Sequence, residues 1–199
     1  MKPESAWEYE LGAIQDMDPI NLRAAIYYYD VQDFINDNGI TSPGTGFGSD
    51  CLYNIPHFSL WGGEIEASIR LGQFQGTLSY NYQNYSADDT GFEQNWTYYL
   101  PALLPQNKVK FLGNYQVWRG GLVQLSSIFV DERKTQQPST EDLDSYITFD
   151  IGFQQKFKLL GLNWMAETYC NNFTGANYEE QAGYKMPKYV WGFLLRARF

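Results

Sequence analysis

Side chains alternate between apolar and polar with period two almost from one end of this chain to the other. A strand sends successive side chains to opposite faces, whereas a helix repeats near 3.6 residues, so the pattern predicts strands with one greasy and one wet face. Nine runs carry it. The first sets Trp7, Tyr9, Leu11 and Ala13 against Glu8, Glu10 and Gly12, and ends in a turn over Gln15–Pro19. The second starts at Ile20, opposes Leu22, Ala24, Ile26 and Tyr28 to Asn21, Arg23 and Tyr27, and continues to about Phe34. The third starts near Leu52 and is clearest where Glu64, Glu66, Ser68 and Arg70 oppose Ile65, Ala67, Ile69 and Leu71. In the fourth, Phe74, Leu78, Tyr80 and Tyr82 oppose Gln75, Thr77, Ser79 and Asn81. In the fifth, Val109, Phe111, Tyr115 and Val117 oppose Lys108, Lys110, Asn114 and Gln116. The sixth, Leu122–Val130, is apolar on both sides, and the pattern leaves its facing open. The seventh opposes Ile147, Phe149, Ile151 and Phe153 to Asp150, Gly152, Gln154 and Lys156, and the eighth opposes Leu162, Trp164 and Ala166 to Asn163 and Glu167. The ninth sets Tyr189, Trp191, Phe193, Leu195, Ala197 and Phe199 against Lys188, Val190, Gly192, Arg196 and Arg198.

The connections alternate too. Short turns, such as Gly72-Gln73 and Arg119-Gly120, follow the odd-numbered runs, and longer polar loops follow the even-numbered ones up to the eighth. Tight turns on one side and long loops on the other are the asymmetry of an outer-membrane barrel, whose tilted strands cross the hydrocarbon in about nine to eleven residues. Composition fits. The chain is 18% aromatic, with 16 Tyr, 13 Phe and 6 Trp, yet its mean hydropathy is -0.43. Half of each barrel strand faces a wet interior, which cancels the hydropathy of the other half. The absence of any run of about eighteen apolar residues excludes a bundle of membrane helices.

Charge excludes another class. A net charge of -9 gives nothing to hold a phosphate backbone, so nucleic acid is not an expected partner. The acids Asp88, Asp89 and Glu93, then Glu141, Asp142 and Asp144, then Glu179 and Glu180, fall between apolar runs and read either as solvated loops or as a surface that holds divalent cations or repels anions. Cys51 and Cys170 are too few and too far apart for a disulfide framework or a metal site, and no bridge between them is expected. Met1–Trp7 shows no basic segment leading into an apolar stretch. For an exported barrel, that leads to the expectation that the chain is a fragment whose signal and first half lie elsewhere.

Which face meets lipid follows from side-chain type. Glu64, Glu66, Arg70, Lys108, Lys110, Arg196 and Arg198 share the polar sides of their runs, and the opposite sides are Leu, Ile, Val, Ala and aromatics. We expect these seven to face a wet lumen and the apolar sides, with Tyr and Trp at the membrane interfaces, to face lipid. Glu64 and Glu66 would then stand about 7 Å apart on one strand face, as lumen wall rather than ligand site. The alternative is a soluble barrel with its apolar face inward. Nine strands is an odd count, and single-chain bacterial outer-membrane barrels have even counts, so the nine read as an arc of something larger.

Several segments resemble the barrel of TonB-dependent receptors, and the resemblance covers essentially the whole chain. Lys2-Pro3-Glu4, then Trp7-Glu8-Tyr9-Glu10-Leu11-Gly12, resembles that family's Leu-Lys-Pro-Glu and Tyr-Glu-Leu-Gly stretch, with Met1 where Leu is usual. Tyr27-Tyr28-Tyr29-Asp30 through Asp33-Phe34-Ile35 is similar to its aromatic strand ending in Asp and Ile. Tyr53-Asn54-Ile55 followed by Gly63-Glu64-Ile65-Glu66 resembles its Tyr-x-Asn and Gly-Val-Glu segments. Asn172-Phe173, Tyr178, Gly183-Tyr184 and Pro187 resemble its penultimate strand and last loop, and Gly192, Leu195, Ala197 and Phe199 resemble the C-terminal signal by which the outer-membrane assembly machinery recognises its clients.

The resemblance implies an all-β fold: residues 1–199 as the C-terminal part of an antiparallel transmembrane β-barrel, about nine of about 22 strands, without its plug domain. It implies residence in the outer membrane of a Gram-negative bacterium and a part in the uptake of a scarce nutrient such as an iron-siderophore. The implied partners are outer-membrane lipid, the remaining barrel strands, the plug, and TonB through the plug. It implies neither a cofactor nor an enzyme activity. His57 is the only histidine and lies beside Ser59, with no recognisable third member of a hydrolase triad in the sequence. A small porin-like outer-membrane barrel and a soluble ligand-binding β-barrel remain the alternatives.

Overall fold

The structure is a computed structural model that describes residues 2–37, 52–87, 104–133 and 142–198. Nine strands form one sheet: β1 (Ser5–Met17), β2 (Ile20–Asp37), β3 (Leu52–Leu71), β4 (Phe74–Ala87), β5 (Asn107–Trp118), β6 (Gly121–Val130), β7 (Tyr146–Leu159), β8 (Leu162–Asn171) and β11 (Val190–Arg198). Every neighbour in the order β1-β2-β3-β4-β5-β6-β7-β8-β11 is antiparallel. A two-stranded hairpin of β9 (Glu179–Gln181) and β10 (Tyr184–Lys185) lies between β8 and β11. The alternation pattern is too short there to announce it. No helix among the described residues is long and apolar enough to cross a membrane.

The turns show why the chain reverses so tightly. Gly72 at φ +55 and Gly120 at φ +83 occupy the left-handed region at the β3–β4 and β5–β6 turns, a region open to glycine at no steric cost. Between β7 and β8, Leu160 at φ +52 and Gly161 at φ +77 form a two-residue connection with both residues left-handed, whose twist matches that of the flanking strands.

Register carries one face across the whole sheet. Leu11 pairs with Ile26, Ile26 with Gly63 and Gly63 with Tyr82; Ala24 pairs with Ile65, Ile65 with Tyr80 and Tyr80 with Val109. The same face continues through Phe129 and Ile147, and at the other edge through Thr168 to Phe193 and Ala166 to Leu195. The ladder settles the sixth strand: Val123, Leu125 and Phe129 join the apolar face, and Gln124, Ser126 and Ile128 join the polar one.

Neither face is covered. Among the described residues the buried apolar side chains are Val31, Ile55, Phe58, Val130, Leu143 and Cys170, a core far too small for a soluble domain of this length. Five of them sit toward the loop-side ends of the strands, and Leu143 lies just before β7, bridged to Arg133. β2 and β3, at 18 and 20 residues, are about twice the length that crosses hydrocarbon. Their outer halves pack on each other, with the rings of Phe34 and Phe58 stacked at 4.9 Å. Over the rest of the sheet the apolar face is open: Leu11 is 70% exposed, Ile26 62%, Trp191 73% and Phe193 70%.

Candidate functional site

The polar face is a wall of rows fixed by register. One row runs Arg23, Glu66, Ser79, Lys110, and the next runs Ala25, Glu64, Asn81, Lys108. Adjacent strands lie about 4.8 Å apart, so side chains within a row touch their neighbours. Arg23 Nη1 stands 4.0 Å from Glu66 Oε1, and the Ser79 hydroxyl donates to Glu66 Oε2 at 3.3 Å. The Asn81 amide donates to the Tyr27 hydroxyl at 3.4 Å. Both partners of the ion pair are well exposed, so solvent screens the contact and it contributes little to stability. Its value is positional: three acids, Glu10, Glu64 and Glu66, and three cations, Arg23, Lys108 and Lys110, are held over a hollow of about 860 Å³.

A glycine shapes the same wall. At Gly62 a side chain would collide with the Tyr82 carbonyl oxygen and the Tyr27 ring. The phenol of Tyr27 lies flat where that side chain would be, which packs the ring against backbone and aims its hydroxyl at Asn81.

All seven candidate lumen residues fall on this face by register. Glu64, Glu66, Lys108 and Lys110 meet in the hollow described above. Arg70 sits apart, opposite Gln75 at the turn end of β3. Arg196 and Arg198 are remote from both, at the turn end of β8 and β11. Of the candidate C-terminal signal, Leu195 and Ala197 lie on the apolar face and Gly192 on the polar one, with the Tyr169 ring occupying the space a Gly192 side chain would need. Phe199 lies outside the described residues, as do Cys51, Asp88, Asp89, Glu93 and Glu141. Cys170 is a buried free thiol.

The apolar face carries an aromatic row. Tyr9, Tyr28 and Trp61 are register partners, and Tyr82 meets Trp61 at 5.3 Å between ring centroids. Phe157 and Trp164 stack at 6.4 Å near the opposite end. Such rings settle where apolar and wet environments meet. Beyond the first row, His57 Nε2 lies 2.9 Å from Asp30 Oδ1, and Asp30 pairs in register with Ser59. The acid that the sequence around His57 lacks therefore comes from the neighbouring strand.

Sequence reading missed a cluster that orders the loop side. Arg133 is 8% exposed and donates to the carbonyls of Glu179 at 2.7 Å and Glu180 at 3.1 Å. Its guanidinium lies 5.7 Å from the Tyr146 ring centroid, and Tyr146 stacks on Tyr178 at 4.2 Å. Burial, then the Glu180 and Asp150 carboxylates, raise the Tyr178 hydroxyl above its ordinary pKa. Asn172, 4% exposed, donates to the carbonyls of Ala176 at 2.9 Å and Pro187 at 3.2 Å, and accepts from the Ala176 amide at 2.9 Å. Its own amide donates to Asp150 Oδ1 at 2.7 Å. The one signal for this cluster was the Asn172-Phe173 and Tyr178 resemblance.

Comparison with known proteins agrees with this architecture. The family model described as TonB dependent receptor-like, beta-barrel matches residues 1–173. No curated protein sequence matches the chain. Among solved structures it is similar to the copper transporter OprC, at TM-score 0.76 and 16% identity over 99% of this chain and 32% of that one. It is similar to the siderophore receptor PirA from Acinetobacter baumannii, at TM-score 0.70 and 16% identity over 100% of this chain and 32% of that one. The ferric yersiniabactin uptake receptor FyuA from Yersinia pestis gives TM-score 0.69 and 16% identity over 98% of this chain and 30% of that one. The chain thus spans about a third of the length of these solved proteins, and at such identity the likeness speaks to fold. The fold is an arc of an antiparallel transmembrane β-barrel, and the chain belongs to the TonB-dependent receptor β-barrel family, a family of transport receptors.

Proposed function

We propose that this chain is the C-terminal part of the barrel of an outer-membrane receptor that takes up a scarce nutrient, an iron-siderophore or similar metal complex, in a Gram-negative bacterium. One observation carries the reading: an apolar face open over most of the sheet, with Trp191 at 73% and Phe193 at 70% exposed, backs onto a face lined with Glu64, Glu66, Lys108 and Lys110. Water on both sides would leave the first face unsatisfied, and hydrocarbon on both sides would strand the charges. A lipid exterior and a wet interior satisfy both.

In that setting the seven polar-face residues line the lumen, and Glu64 and Glu66 offer acceptors to a plug domain seated inside the barrel. The partners are lipid, the remaining barrel strands, the plug, TonB acting through the plug, and the assembly machinery that reads Gly192, Leu195, Ala197 and Phe199. The open sheet does not enclose a pore by itself, so uptake belongs to the completed barrel. The soluble-module reading fits poorly with a core of six apolar side chains among the described residues, and a small porin fits poorly with a sheet whose first and last strands do not pair.

Spin labels at Leu195→Cys and Arg196→Cys, in outer membranes holding the full-length protein, test the orientation. The first should be quenched by membrane-dissolved oxygen and the second by a water-soluble nickel chelate. Equal or reversed accessibility would refute the proposal. Nutrient uptake is then read as growth on a siderophore-bound iron source with and without the chain.

A further inference from the structure

Five of the chain's 14 basic residues gather around one hollow of about 700 Å³ at the turn end of the polar face. Lys156 and Arg196 flank Met165 in one row, and Lys158 and Arg198 flank Asn163 in the next. Two strand spacings separate the cations within a row by about 10 Å, and two residues along the strand separate the rows by about 7 Å. Four cations therefore mark the corners of a rectangle whose centre, Met165 and Asn163, is neutral. Arg119 adds a fifth charge from the β5–β6 turn, which is tied to β7 where the Lys156 amide donates to the Gly120 carbonyl at 2.8 Å. None of the five forms an ion pair among the described residues. The nearest acid on β8, Glu167, stands in the row beyond Met165 and Arg196, opposite Gln154 and Leu194.

Like charges held this way in a chain of net charge -9 call for a polyanionic counterpart. The side they occupy says which kind. Phe157, Trp164 and Ala197, on the same strands, take the apolar face, so lipid headgroups meet the other side of the sheet. We infer that this rectangle is a docking site for an acidic polypeptide segment inside the barrel at its periplasmic mouth, with paired carboxylates seated over Met165 and Asn163. The inference rests on the wall orientation proposed above. Complementary charge of this kind fixes register and excludes wrong partners more than it adds affinity.

The test is photo-crosslinking in outer membranes holding the full-length protein with its natural partners, with benzoylphenylalanine at Leu194 on the polar face or at Phe193 on the apolar face. The Leu194 probe should capture a peptide with clustered Asp or Glu, and the Phe193 probe should capture lipid. Lys158→Glu with Arg196→Glu should cut the Leu194 yield about tenfold. The milder Lys158→Gln with Arg196→Gln, checked for folding by gel mobility before and after heating, should cut it less. Raising salt from about 0.1 M to about 1 M, which shortens the screening length from about 10 Å to about 3 Å, should cut it in the unsubstituted protein too. A captured peptide without acids, no capture, or a yield indifferent to charge and salt would overturn the docking site while the Phe193 result upholds the wall. Lipid at Leu194 and none at Phe193 would overturn both.

Discussion

Replacing Phe193 by arginine should cost far more than making the same change one residue on. Phe193 and Leu194 are neighbours in β11, but register places Phe193 beside Thr168 on the apolar face and Leu194 beside Glu167 on the polar one. Phe193 lies five residues before Arg198, about 16 Å along a strand. A tilt of about 40° turns that into a depth of about 13 Å, the middle of an apolar band about 25 Å tall. Arginine at the midplane costs about 2 to 4 kcal/mol, a drop of about 30- to 800-fold in the ratio of folded to unfolded protein. Leu194→Arg adds a cation beside Glu167 and water, and should stay within about 0.5 kcal/mol. The assay is urea-dependent unfolding of the complete barrel in lipid vesicles, followed by tryptophan fluorescence. Equal losses for the two variants, or the larger loss at Leu194, would refute the assignment of faces.

Four further outcomes follow from contacts on the wall and in the loops. Gly62→Ala should lose about 1 to 3 kcal/mol in the same titration, because the new carbon meets the Tyr82 carbonyl and the Tyr27 ring. Gly12→Ala, whose new carbon meets nothing nearer than Ala24 O at 3.6 Å, should be tolerated. Asn172→Ala removes two donated bonds and one accepted bond from a buried side chain. That leaves the Ala176 and Pro187 groups short of partners at about 1 to 3 kcal/mol, read as faster proteolysis between residues 173 and 189. The raised pKa of Tyr178 means its neutral form is favoured in the folded loop. The stabilisation is full below the unfolded tyrosine pKa near 10 and is lost as pH rises through the higher folded value. Absorbance titration at about 295 nm should therefore show a late-ionising component that Tyr178→Phe reduces and Glu180→Gln brings earlier.

The number, order and facing of the strands in the nine-stranded sheet were legible because a period of two, repeated over about ten residues or more, admits one assignment. A slip of one residue in β3 would send Glu64 and Glu66 into the greasy face and Ile65 into the wet one. β6 was the exception: Leu122, Val123, Ile128 and Phe129 put apolar groups on both sides, and its facing came only from pairing with β5 and β7. The acidic and basic residues of the wall were legible as a set, but their division into separate hollows was not. Lys156 and Lys158 belong with Arg196 and Arg198 through β8, a neighbour relation that appears only when register is known. The Arg133 and Asn172 clusters were less legible still, since their partners are carbonyl groups of residues far along the chain, and a carbonyl carries no sequence signature.

The sheet's parity restricts what can complete it. Nine antiparallel strands in sequence place β1 and β11 running the same way, so the two free edges cannot close on each other with antiparallel bonds. A second copy inserted in the same membrane direction presents the same two edges, both running the wrong way, so copies of this arc meet only in parallel. Exposed edges inside hydrocarbon are too costly to persist, because each unpaired amide or carbonyl there goes without a partner. The closing wall must therefore begin and end on strands running opposite to β1, which requires an odd number of them. A barrel of about 22 strands leaves about 13 for that wall, an odd number as required. Co-expression with a wall of even strand number should yield no heat-modifiable barrel, and recovery of one from such a pair would break the parity argument.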